Sequence, residues 1–324
     1  MRLSTYTSAL VAAAATCISA AAVTRSVGSV RTVYTFPPNT FVENIAVRSN
    51  SNLLITASSA DLYSINPKAA SPNATVVHTF PNANGIFGIT EVAHDVFAVL
   101  TGIWDFAITR AELGSLAVWT VNFNTATPKV KKLTGIANST IFNGIVRHPY
   151  NPRLLLAADS AIGAVWRVDL LTGDYGIAFQ SPLLAPTETG SLGINGLKAA
   201  GTNLYFTNSA QGFFGKVAVN SQGGQVGSIK IVSNSTTGIV FDDIALDKTG
   251  SKIGWIASHP AQVIGVADNG SQVVIEDTAK LLNPTSAAFG RGDLTQAKTL
   301  YVTNGGEFVG WDLVNGGIAA VVVR

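Results

Sequence analysis

The chain has 324 residues, of which 12% are charged, with 21 Lys and Arg against 19 Asp and Glu for a formal net charge of +2. No basic run or acidic tail breaks that balance, so neither nucleic acid nor a membrane surface is expected as a partner. A 47% hydrophobic content with no Pro- or Ser-rich linker describes one domain, expected to be a monomer, with a large core of its own.

At the start, Arg2, the apolar run from Ala9 to Ala15 and the small residues Ala20-Ala21-Ala22 have the order of a secretory signal peptide. The expected division is therefore a signal peptide at 1–22 and one folded domain at 23–324. The single cysteine, Cys17, falls inside the leader, so the remaining chain has no thiol and no disulfide. Four Asn-x-Ser/Thr sequons, at Asn73, Asn138, Asn234 and Asn269, fit a glycoprotein in the secretory pathway or outside the cell.

The first predicted strand, Val33-Tyr34-Thr35-Phe36-Pro37, echoes Val77-His78-Thr79-Phe80-Pro81 further on. One phrase then returns six times. It opens at Glu43-Asn44-Ile45-Ala46, Phe87-Gly88-Ile89-Thr90 and Asn143-Gly144-Ile145-Val146. It continues at Asn195-Gly196-Leu197-Lys198, Asp242-Asp243-Ile244-Ala245 and Thr285-Ser286-Ala287-Ala288. The spacing, roughly 43–56 residues, suits one blade of four short strands. Within each repeat a second apolar run follows, such as Leu53-Leu54-Ile55-Thr56 or Leu204-Tyr205-Phe206-Thr207. A third run comes next, read in the last repeat as Val309-Gly310-Trp311, and in the early repeats a more polar fourth. Short β-branched and aromatic runs bounded by Gly, Asn, Asp and Pro are strands, and no ten-residue helical period occurs after the leader. The reading is all-β: a six-bladed β-propeller with four antiparallel strands per blade. Either the early strand or the C-terminal run Ile318–Val323 should close the last blade.

In such a blade the first strand starts, and the second ends, at one face. Glu43, Asn143, Asn195, Asp242 and Thr285 then ring the mouth of the central channel, with Asn208 just outside them. Asn-Gly pairs also build tight turns without any further role. Phe87 and Thr285 hold the same register without a carbonyl or carboxylate, however, so the turn does not demand one. Oxygen donors at Glu43, Asn143, Asn195 and Asp242 suit Ca²⁺ or a similar cation. Loops over the mouth add Trp104 and Phe106 from blade 2 and Phe213 and Phe214 from blade 4, with Phe308 from blade 6 and His259 from blade 5. An apolar cup with a few polar groups fits a small, largely apolar ligand, although Phe213 could equally pack between blades. His78, His94 and His148 are read as surface residues. Arg291-Gly292-Asp293 is read as a coincidental tripeptide.

Glu43 in the first repeat, the Asn143-Gly144 and Asn195-Gly196 starts and Asp242 in the fifth resemble the SMP-30/gluconolactonase-like propellers. That resemblance implies metal ligands at Glu43, Asn195 and Asp242, a substrate contact at Asn143, and Ca²⁺-dependent lactone hydrolysis. Asp242-Asp243 departs from the family's Asp-Gly, and its lactone-binding arginine has no match. The stretch Phe41–Arg48 with the Ser-Asn-Ser-Asn turn also resembles fungal secreted members of natural-product pathways, some of them hetero-Diels–Alderases. This implies a cycloaddition between a terpene alkene and a polyketide quinone methide, for which no cofactor is required. A third reading is a ligand-binding propeller without catalysis.

Overall fold

The computed structural model describes residues 23–25, 29–105, 108–247 and 252–323. The expected signal peptide and Cys17 lie outside the described residues, as does Phe106. Six antiparallel four-stranded sheets follow one another as blades. Blade 1 comprises Val42–Val47, Leu53–Ala57, Asp61–Ile65 and Ala74–Thr79, innermost strand first. The innermost strands of blades 2 to 6 are Gly85–Ala93, Phe142–Arg147, Ile194–Ala200, Val240–Leu246 and Pro284–Phe289.

Burial explains why these segments are strands. Leu53–Ala57 and Leu154–Asp159 are covered on both faces and read as unbroken apolar runs, whereas the outer strand Ala74–Thr79 is half solvated and mixed in character. The core lies between blades: Phe214, Phe241, Ile256 and Ile264 pack where blade 4 meets blade 5.

The last blade corrects the strand assignment. Val309-Gly310-Trp311 is not its third strand but belongs to a hairpin, Glu307–Val309 with Asp312–Val314, inserted after the second. Gly317–Val322 is the third strand, and Ser29–Thr35 adds antiparallel to it as the fourth. Both ends of the chain thus close the ring, as full closure requires if no sheet edge is to stay open. Val23–Arg25 adds a fifth, parallel strand outside blade 5.

His148 is a further correction: it is buried rather than on the surface. Its Nδ1 accepts from the Asn151 backbone N–H at 3.0 Å, so Nε2 carries the proton donated to the Asn220 carbonyl at 2.8 Å. Burial holds its pKa below the ordinary histidine value, so the ring is a neutral brace. His78 is half-buried and His94 exposed. Arg291 and Asp293 have structural partners, Arg291 an ion pair with Glu91 and Asp293 the first-turn Gln296 N–H of a short helix, Leu294–Ala297. The four sequon asparagines are all exposed.

Candidate functional site

Each of the six phrases sits on a break in strand pairing. The register shifts between Val42 and Asn44, Ile86 and Ile89, Phe142 and Ile145, Ile194 and Leu197, Phe241 and Ile244, and Pro284 and Ser286. A bulge of this kind re-aims side chains from the sheet into the channel. In three blades a threonine of the second strand supports it. The hydroxyls of Thr56, Thr207 and Thr303 accept the N–H groups of Asn44, Gly196 and Ser286 at 2.9–3.0 Å. Each also donates to a carbonyl of the next blade, Thr56 to Phe87 at 2.8 Å, Thr207 to Asp242 at 2.5 Å and Thr303 to Glu43 at 3.4 Å. One side chain therefore fixes a bulge and joins two blades.

The second residue of each phrase plugs the channel, a role that sequence reasoning missed. Asp243 is buried and accepts from Lys198 Nζ at 2.9 and 2.8 Å, from Asn44 Nδ2 at 3.1 Å and from Ser286 Oγ at 2.9 Å. Blades 1, 5 and 6 thus supply polar side chains, and blades 2, 3 and 4 supply glycine. A Cβ on Gly196 would stand 2.4 Å from Asp243 Oδ1, and one on Gly88 2.3 Å from the Asn143 carbonyl. The three glycines let the ring close around the polar side chains. The signal was present in the phrases, since Gly occupies that position three times and Asn, Asp and Ser the other three.

The first residues form the rim. Asp242 Oδ2 lies 3.1 Å from His259 Nε2, which joins blade 5's first strand to the end of its second. Asn195 donates to Ser209 Oγ at 2.9 Å, while its own Oδ1 is buried with no hydrogen-bond partner. Asn143 is buried and Glu43 half-buried, and neither side chain has a hydrogen bond among the described residues. Burial, then the charge of Asp242, then that of Asp243, holds the Glu43 carboxyl well above the ordinary carboxylate range. Asp242 is also raised by burial, although the hydrogen bond and charge of His259 oppose the shift. The rim is thus rich in oxygen, and its buried, acidic setting pushes Glu43 toward its protonated, hydrogen-bond-donating form.

An aromatic edge stands on blade 2, between the blades that carry Glu43 and Asn143 and across the ring from blade 5. Phe87 holds the rim position of blade 2, and Trp104 packs on it with ring centroids 5.0 Å apart. Asn84 clamps Trp104 by accepting from its N–H at 2.5 Å and donating to its carbonyl at 3.0 Å. Gly85 and Gly102 leave room for the Phe87 ring. Phe308 stands on the blade 6 hairpin, 75% exposed.

Four expected pocket residues lie elsewhere or are otherwise engaged. Phe213 and Phe214 are buried between blades, against Phe206 and Tyr205, because adjacent residues of a doubly covered strand face two neighbouring blades. Asn208 is buried and donates to the Leu183 and Ala185 carbonyls at 3.1 and 3.0 Å, anchoring the long connection to blade 4. Thr285 is on the rim, but its hydroxyl donates to the Val42 carbonyl at 2.8 Å across the closing seam.

A cavity of about 710 Å³ opens at the opposite end of the channel, beyond the Asp243 plug. Volume and chemistry therefore point to different ends. The perturbed carboxyls and the unpartnered amides make the rim the candidate chemical site, because perturbed titration concentrates where groups are held for reaction. Among the described residues no group of three His, Cys, Asp or Glu side chains could hold a metal ion. Glu43, Asp242 and the unpartnered Asn195 Oδ1 nevertheless form a mixed carboxylate and amide donor set of the kind a hard cation accepts.

No family profile matches the chain. Over 84% of its length it is 25% identical to a protein from a Phoma species described as "Putative hetero-Diels-Alderase", covering 86% of that protein. A second protein of that description, from Sarocladium schorii, is 23% identical over 84% of the chain and 77% of its own length. The fold is shared with a calcium-binding regucalcin from Agrobacterium tumefaciens at 16% identity and TM-score 0.59, covering 94% of this chain and 97% of the other. It is also shared with a structure described as a "putative gluconolactonase", at 11% identity and TM-score 0.60, with 91% and 92% covered. The resemblance to hetero-Diels–Alderases is borne out in sequence, and that to gluconolactonase-like propellers in the fold. No described helix is long and apolar enough to cross a membrane.

Proposed function

We propose that the chain is a biosynthetic enzyme that joins two small, apolar natural-product partners by a hetero-Diels–Alder cycloaddition at the rim. The observation that carries this reading is the Phe87–Trp104 edge set in a polar rim, between the Glu43 and Asn143 blades and across the ring from the Asp242–His259 pair. Sequence similarity to two proteins described as hetero-Diels–Alderases supports it. A quinone methide reacting with a terpene alkene forms one C–C and one C–O bond while three π bonds become one. No proton is transferred and no electron is gained or lost. The work left to the protein is placement and polarisation. The aromatic edge would stack on the flat heterodiene, and holding both partners together can supply about 7–11 kcal/mol of the barrier. Asn143 Nδ2 and the neutral Glu43 carboxyl would donate to the heterodiene oxygen, drawing electron density from it as negative charge develops there. The His259–Asp242 pair fixes the opposite side of the rim. The exposed sequons fit passage through the secretory pathway. Purified protein given the quinone-methide precursor and an alkene should raise both rate and enantiomeric excess. Product at the uncatalysed rate and in racemic form would sink the reading.

The buried, unpartnered Asn195 Oδ1 favours a second reading, a Ca²⁺-dependent lactone hydrolase. Glu43, Asn195 and Asp242 would then hold the cation, which when bound polarises a carbonyl and lowers the pKa of water. Lactone hydrolysis that survives a chelator excludes it.

A further inference from the structure

The cavity at the far end of the channel is not used by the proposed reaction. The plug of Asn44, Asp243, Ser286 and Lys198 separates it from the rim. Its volume of about 710 Å³ is that of a small-molecule site rather than of a gap between side chains. The second halves of the six innermost strands wall it, and small residues such as Ala46, Ala199, Ala245 and Ala288 give it width. One side of its opening is strapped by Arg291. That guanidinium reaches from blade 6 past blade 1 to Glu91 of blade 2 at 2.6 Å, while its carbonyl accepts from Ser51 Oγ of blade 1 at 2.8 Å.

The polar groups on this wall are unevenly engaged. Glu91 already accepts on both oxygens, from the Asp95 N–H and from Arg291. Asp243 does not line the cavity and, in the plug, already accepts from Lys198, Asn44 and Ser286. Asp268 at the edge is 87% exposed, with Lys216 at 3.9 Å, and Asp247 has interactions of its own. What remains is a surplus of donors. Arg291 has N–H groups beyond its bond to Glu91, and the Thr90 and Tyr205 hydroxyls make no hydrogen bond among the described residues. Arg291 and Lys198 are each neutralised by a paired carboxylate, so the surplus does not attract anions. We infer that this cavity is a second binding site, for a neutral, apolar molecule bearing carbonyl or ether oxygen.

The probe is Nile red, which is neutral, apolar, carries a carbonyl and brightens on leaving water. It should bind one-to-one and saturably to the full chain. Ala199→Trp and Ala288→Trp, which fill the cavity, should weaken binding at least tenfold. Thr90→Val, which removes one donor at constant size, should weaken it severalfold. Trp104→Ala at the rim should leave it within about twofold. Circular dichroism and melting confirm that each variant is folded, and Thr90→Val keeps the test alive should a tryptophan variant fail to fold. Absent or non-saturable binding would overturn the inference. So would binding lost in Trp104→Ala and kept in Ala199→Trp, which would place the dye at the rim. Neither outcome bears on the cycloaddition, which is assayed separately.

Discussion

Replacing Lys198 with methionine tests whether the plug holds the propeller together electrostatically. Asp243 is 1% exposed at its side chain, and Lys198, 23% exposed, supplies the only cation within salt-bridge distance of it among the described residues. The variant leaves the Asn44, Ser286 and Ile244 donors in place but no positive charge beside the carboxylate. Removing one partner of a buried pair costs about 3–5 kcal/mol, and the partial exposure of Lys198 places this case near the lower end. Unfolding entropy of about 2.1 cal/mol/K per residue gives roughly 0.6 kcal/mol/K for a domain of this size, so about 3 kcal/mol lowers Tm by about 5 °C. Calorimetry at neutral pH reads the shift. The double variant Lys198→Met, Asp243→Asn should recover most of the loss, because the uncompensated charge is gone. A Lys198→Met protein melting within about 1 °C of the wild type refutes the reasoning.

Gly144→Ala places a Cβ 2.6 Å from the Leu197 backbone nitrogen and 2.7 Å from the Asn195 carbonyl, so it should cost about 1–3 kcal/mol, read as a lower melting temperature. Asn143→Ala should reduce cycloaddition turnover about 10–100-fold while Tm moves by about 1 °C or less, because the amide has no internal hydrogen bond to lose. Asp95 is held below the ordinary carboxylate value of 3.8, first by the hydrogen bond from Arg48 and then by its charge, against burial. Its stabilisation is therefore present above that value and lost as pH falls through the lower folded value. The Tm difference between wild type and Arg48→Met should accordingly be largest at neutral pH and shrink below about pH 4, as thermal melts across pH will show.

The six phrases revealed the blades because strands buried on both faces need long apolar runs, and a bulge needs small or polar residues at a fixed place. Rim positions followed from that period, so Glu43, Asn143, Asn195 and Asp242 were legible. What could not be read was partnership across the ring. Nothing local in Asp242-Asp243 says that one carboxylate meets His259 on the rim while its neighbour meets Lys198 in the plug. The identical apolar character of Phe213 and Trp104 likewise hid that one lies between blades and the other at the mouth. In blade 6, Val309-Gly310-Trp311 satisfied the strand pattern locally, yet pairing favoured the longer Gly317–Val322, buried in all but its last residue.

That C-terminal segment has a topological consequence. Gly317–Val322 lies between Thr299–Asn304 and Ser29–Thr35, so the first strand after Arg25 depends on it for a place in the molecule. During synthesis Ser29–Thr35 must wait, unpaired, until Gly317–Val322, about 280 residues later, has left the ribosome. Removing residues 317–322 would take away one strand and set another adrift, leaving the outer border of Thr299–Asn304 bare.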